Sequence, residues 1–254
     1  MNTLDKFKMK DKVVIITGGC GLLGRQHAKV VREAEGIPIL WDVSPSVTEE
    51  VNGMRIDITS KNEICYGMSR VLERYGKIDV LINNACNNPN PDNRSYSTKL
   101  EELPLLAWNQ DLAVCLTGAF LCSQVIGTYF ANRGFGVILN IASDLGVIAP
   151  DQRLYSNDNP KAVTYSVVKH GLIGLTRYLA TYWADKNVRV NALSPGGVYT
   201  NQNATFVNKV CDLIPMNRMA DKDEYKAAVL FLISEASSYM TGSNVIIDGG
   251  RTCW

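Results

Sequence analysis

The chain has 254 residues, 46% of them hydrophobic and 20% charged, with a formal net charge of +1. This length and composition suit one large α/β domain with a full core and exclude a disordered chain. The near-zero charge gives no strong field to draw nucleic acid or an anionic membrane.

The charged opening "MNTLDKFKMKDK" runs straight into a strand, so no secretory signal is expected, nor any apolar run near the ~20 residues of a membrane span. In chain order, "KVVIIT" (12–17), "IPILWD" (37–42), "IDVLIN" (78–83), "GVILNIAS" (136–143), "VRVNALSP" (188–195) and "NVIID" (244–248) read as strands. Most are continuous apolar runs, the pattern of strands buried on both faces. Between them lie helical stretches, roughly 22–35, 61–75, 100–132, 162–185 and 223–234. The alternation predicts a single α/β domain over 1–254 with a doubly wound parallel sheet and helices on both faces. Two polar stretches, "NNPNPDNRSYS" (87–97) and "IAPDQRLYSNDNPK" (148–161), read as loops at the carboxyl edge of that sheet, where ligands bind. The cysteines (20, 65, 86, 115, 122, 211, 253) are scattered and the histidines are only two, 27 and 170. No metal-ligand cluster is expected from them, and reduced thiols in a cytoplasm are. "NRS" at 93 and "NAT" at 203 match the glycosylation pattern, which means little without secretion.

Residues 17–24, "TGGCGLLG", follow the first strand and open a helix. Gly18, Gly21 and Gly24 permit a tight turn, close approach of backbone to a phosphate, and close helix–strand packing. The helix N-terminus then offers N–H groups to a pyrophosphate. Asp42 ends the second strand about twenty residues on, where a carboxylate accepts both ribose hydroxyls and repels a 2′-phosphate, favouring NAD over NADP. The alternative is a solvated strand-end Asp. Asp57 either hydrogen-bonds an adenine or caps the next helix with Thr59 and Ser60. Tyr165 and Lys169 lie one helical turn apart, either a proton donor tuned by a neighbouring cation or an ordinary helix face.

Taken together, "TGGCGLLG", Asp42, "NNAC" (83–86), "NIAS" (140–143), "YSVVK" (165–169), "SPGGVYT" (194–200) and "TGSNVIIDGG" (241–250) resemble the short-chain dehydrogenase/reductase superfamily over almost the whole chain. The resemblance implies a Rossmann-type fold. It makes Tyr165 the acid/base, Lys169 the cation that lowers its pKa, and Ser143 the hydroxyl that orients a substrate carbonyl. It also sets Leu22, Leu23, Ile58, Asn83, Asn84, Ala85, Pro195, Gly196, Val198 and Thr200 along the cofactor. The implied reaction is hydride transfer between a nicotinamide and an alcohol or ketone, plausibly of a sugar derivative, in a homotetramer or homodimer. An NADP-dependent 3-oxoacyl-carrier-protein-type reductase and a low-turnover NAD-binding scaffold are the alternatives.

Three departures from the family pattern stand out. The middle glycine of the loop, Gly21, sits one place early. Cys115 stands where the catalytic tetrad has Asn. Ser143 and Tyr165 are 22 positions apart, with loop 148–161 as the excess. "APDQRLYSND" is similar to an insertion in enzymes of flagellin or surface-glycan modification. There Arg153 and Tyr155 either grip an anionic sugar or belong to a surface loop packed on a neighbouring subunit.

Overall fold

Every residue of the first strand, β1 (Val13–Thr17), is buried, and alternate side chains enter different cores. Val13 and Ile15 pack with Ile64, Val71, Ile126 and Phe130, whereas Val14 and Ile16 pack with Val30, Val31, Val229 and Leu232. A strand buried on both faces requires helices on both. The computed structural model, which describes residues 2–87 and 96–254, has that arrangement. β1 joins β2 (Ile37–Asp42), β3 (Gly53–Arg55), β4 (Val80–Asn83), β5 (Gly136–Ile141), β6 (Val188–Pro195) and β7 (Asn244–Ile247) in one sheet. The order is β3-β2-β1-β4-β5-β6-β7, with every pairing parallel. Helices α2 (Lys61–Tyr75), α4 (Gly118–Arg133) and α5 (Val163–Tyr182) cover one face. Helices α1 (Leu22–Glu33) and α7 (Lys226–Ile233) cover the other.

The expected Rossmann-type doubly wound sheet is present, with local differences. The third strand is Gly53–Arg55, paired to Leu40–Asp42, so Asp57 lies past its end. The helix expected from 100 starts as α3 (Leu105–Leu112), because Pro104 takes its N-cap position. A short helix, α6 (Ala204–Cys211), lies beyond β6 where the expected helical stretches include none. The expectation of no membrane-length run is corrected: by length and composition the continuous helix Leu105–Arg133 passes that test. Its Cys122, Ile126 and Phe130 are nevertheless fully buried in the core beside the sheet. The sequon at 93 lies outside the described residues.

The chain reverses its winding between β1 and β4, and the loops after these two strands leave a gap where ligands of such sheets bind. A buried polar ladder pins β4 to β5 below that gap. Asn83 Nδ2 donates to Asn140 Oδ1 (2.8 Å) and Ser123 Oγ (3.0 Å). Asn140 Nδ2 in turn donates to Thr176 Oγ1 at 2.8 Å.

His27, on α1, is fully buried and neither ring nitrogen has a partner among the described residues. Burial lowers its pKa to about 4, against a slight opposing pull from Asn84. The folded state therefore takes up this proton less readily than the unfolded chain. Stability should be full above about pH 6.5 and fall as pH drops toward 4, by about 3 kcal/mol. Urea denaturation at pH 7 and 4.5 should show the loss in the wild type and a shallower one in His27→Leu. Equal slopes would contradict the assignment.

Candidate active site

The turn after β1 is built to hold a phosphate. Gly18 has φ +62°, and a Cβ there would lie 2.8 Å from Ala85 Cα. Gly21 caps α1 with no side-chain hydrogen bond, which leaves the first N–H groups of the helix free of an internal acceptor. Gly24 stands behind this turn: a Cβ there would meet Gly18 O at 2.2 Å, so it serves helix–turn packing and does not line the cavity. The turn is clamped to the end of β4. Thr17 Oγ1 accepts the N–H groups of Asn84 (3.0 Å) and Ala85 (3.1 Å), and Asn84 Nδ2 donates to Thr17 O and Gly18 O.

From this turn a cavity of about 1190 Å³ extends across the carboxyl ends of the strands. At the end beside the glycine turn it is lined by Gly18, Gly21, Leu22, Leu23, Asp42, Asp57 and Ile58. Asp42 is fixed by two backbone donors, Cys20 N–H to Oδ2 and Ser44 N–H to Oδ1, both at 2.9 Å. Asp57 accepts both the N–H and the hydroxyl of Thr59 in the turn before α2, whose N-cap is Ser60, and it also lines the cavity. The middle and far end hold Asn84, Ala85, Ser143, Tyr165, Lys169, Pro195, Gly196, Val198 and Thr200. Asn83, expected beside the cofactor, is instead buried in the polar ladder, because its strand position points between helices α4 and α5.

Tyr165 and Lys169 come from the first turns of α5, and Ser143 from the end of β5. Lys169 is buried and donates Nζ to Ile141 O at 2.8 Å. Burial is the largest influence on Tyr165 and leaves its pKa raised above the ordinary phenol value. Lys169 and Ser143 pull it down, as expected, without prevailing. The expectation of a net acidic phenol is therefore corrected for the protein without its cofactor. Lys169 shows the converse balance: burial opposes its charge, but Cys86 and Tyr165 outweigh burial and raise its pKa. Lys161 Nζ lies 3.9 Å from the Tyr165 ring centroid, adding a second cation at this wall.

Cys115, the tetrad substitution, does not reach the cavity. It is 1% exposed and its thiol donates to Cys86 Sγ at 2.9 Å. Arg153 is not at the cavity either. Its guanidinium forks onto Asp151 (2.6–3.1 Å) in the open and lines no part of the cavity, whereas Tyr155 does line it. Loop 148–161 is a built wall: Leu154 is buried with Val210, Ile214 and Met219, and Tyr155 packs on Phe206 of α6 at 5.8 Å between centroids.

Sequence reasoning missed three groups. Asp144 is buried beside Ser143, accepts its hydroxyl at 2.8 Å, and is paired at 2.8 Å with buried Arg251. Lys161 and Cys86 also line the cavity. The polar neighbour of Ser143 and the "DGG"-R terminus were visible signals, but nothing in the order of residues shows that the two, 107 positions apart, touch.

A family profile described as Enoyl-(Acyl carrier protein) reductase matches residues 31–252. An NAD-dependent glycerol dehydrogenase of Listeria innocua is 33% identical over 97% of this chain and 96% of its own. The chain belongs to the short-chain dehydrogenase/reductase family. Another relative, the post-translational flagellin modification protein A of Campylobacter coli, is 28% identical over 95% of this chain and 98% of its own. The crystal structure of a short-chain dehydrogenase from Leptospira borgpetersenii with bound NAD+ superposes with a TM-score of 0.83 at 32% identity, covering 99% of this chain and 96% of that one. As a family member the chain is an oxidoreductase acting on alcohol groups and binding a nicotinamide dinucleotide. The glycine turn, its free helix N–H groups and the cavity beyond fit such a group.

Proposed function

We propose that this chain is an NAD-dependent dehydrogenase of small polyols, oxidising a secondary hydroxyl to a ketone. The observation that carries the reading is one cavity with Asp42 and the glycine turn at one end and Ser143, Tyr165 and Lys169 at the other. The likeness to a glycerol dehydrogenase supports the substrate class. Asn159 and Asn203 line the cavity with amide groups that suit hydroxyl groups, while the Gln202 amide is tied to Thr200 N–H and Val198 O. When bound, the nicotinamide supplies the hydride acceptor. Tyr165 takes the hydroxyl proton as a general base, with its phenolate stabilised by Lys169. Ser143 stands beside Tyr165 and orients the reacting oxygen when its hydroxyl turns from Asp144 to the substrate.

The assay is NAD and NADP reduction with glycerol, erythritol and xylitol, set against reduction of an acyl thioester with NADPH. Faster turnover of the thioester would reject the polyol reading. For the cofactor, Asp42→Ala should weaken NAD by about 10- to 100-fold, the worth of charged hydrogen bonds to the ribose, and weaken NADP far less. An unchanged NAD-to-NADP ratio of kcat/KM would reject Asp42 as the selector.

We also propose a homo-oligomer in a reducing compartment such as the cytoplasm. Phe120 on α4 and Val167, Tyr178 and Tyr182 on α5 are large exposed apolar groups, and all seven cysteines are free. A monomeric mass by light scattering would refute the assembly.

A further inference from the structure

Two thiols meet behind the catalytic lysine. Cys86 lines the cavity. Cys115 lies behind it, buried, with the sulfurs 2.9 Å apart. Backbone geometry brings them together. Between α3 and α4 the helix widens by one residue, with Gly118 N–H bonded to Ala113 O, five positions back. Cys115 sits in the middle of this wide turn, a feature that recurs at functional sites. The opposite side is held by Asn87, whose N–H donates to Cys115 Sγ at 3.1 Å and whose side-chain amide donates to Asp111 Oδ1 at 2.8 Å. Asp111 is anchored in turn by the Thr164 hydroxyl at 2.5 Å. Lys169 and Cys86 also act on each other electrostatically, each favouring the other's charged form.

We propose that Cys86 and Cys115 form a reactive dithiol that reduces a hydroperoxide, closes to a disulfide and so arrests the active site. The arrest rests on the dehydrogenase reading above; the disulfide itself does not. The Cys86 thiolate attacks one peroxide oxygen, the O–O bond breaks, and the leaving hydroxide departs as water with a proton from solvent or a neighbouring acid. Cys86 is now a sulfenic acid. The Cys115 sulfur attacks the Cys86 sulfur, the S–O bond breaks, and a second water leaves with the Cys115 proton. Two thiols and one hydrogen peroxide give one disulfide and two waters. Bonding needs the sulfurs to approach by roughly 1 Å. Electrostatics favour the first step. A hydrogen bond from Cys115 and the nearby Lys169 charge lower the pKa of Cys86, while the same pairing raises that of Cys115. Cys86 is therefore the attacking sulfur at the cavity and Cys115 the resolving one. Closure removes the negative partner from buried Lys169 and turns the Cys86 side chain from the cavity toward Cys115.

The test uses the reduced full-length protein titrated with hydrogen peroxide. It is read by non-reducing peptide mass mapping and by NAD-linked polyol oxidation. The expected result is a loss of two hydrogens mapped to a Cys86–Cys115 link, activity falling at least tenfold in proportion, and recovery with dithiothreitol. Cys115→Ser should leave Cys86 as a sulfenic acid trapped by dimedone. Cys65→Ser, at an exposed cysteine away from the cavity, should remain fully sensitive. Oxidation without the 86–115 link overturns the proposal, as does a link that leaves activity unchanged. If the reduced protein oxidises no polyol, the polyol reading falls alone, and the presence or absence of the link still decides the dithiol.

Discussion

Tyr165→Phe should lower kcat by about 10²- to 10⁴-fold, the usual worth of a positioned acid/base, while NAD still binds. The substitution keeps the ring, which packs in the wall beside Lys161, and removes only the oxygen that Lys169 and Ser143 act on. Groups at the far end, Asp42 and the glycine turn, are untouched, so calorimetric titration should give an NAD affinity within about threefold of wild type. The raised pKa of the phenol in the protein without cofactor sharpens the expectation: base catalysis needs the phenolate, so activity should climb with pH until the phenol is ionised. A Phe variant with wild-type turnover would remove Tyr165 from the chemistry. One that lost NAD binding and turnover together would recast it as a structural residue.

Arg251→Met should cost about 3–5 kcal/mol of stability, because it leaves Asp144 charged, buried and without its partner. For a chain of this size that is roughly 10 °C of melting temperature. The double change Arg251→Met with Asp144→Asn should recover most of the loss, since replacing both ends of a buried pair is far cheaper than breaking it. Activity separates a second consequence. Asp144 Oδ1 accepts the Ser143 hydroxyl, so both variants should show a depressed kcat even where the double variant is stable. A single variant that melts within a degree or two of wild type would show the pair to be solvated.

Periodicity made the sheet legible because β1, β4 and β5 are apolar on both faces and little else fits such runs. The same logic failed for β3, three residues that pair with β2 without being fully buried. It failed for α6 as well, whose apolar side faces loop 148–161 rather than the sheet. Within the site, motifs placed the Gly turn, Asp42, Ser143, Tyr165 and Lys169 around one cavity, since each is fixed by its own strand end or helix turn. What remained hidden depends on side-chain partners. Asp144 finds Arg251 far along the chain, and Arg153, read either as a grip on an anionic sugar or as part of a packed surface loop, is held by Asp151 two residues away. Cys115 was read against a family position, and only the wide helical turn shows that it addresses Cys86.

The small cluster around Leu154, Val210, Ile214 and Met219 is separate from the two cores that sandwich the sheet. Leu154, Val210 and Met219 of this cluster also line the cavity, so a substitution there alters the cavity wall without entering either of those cores.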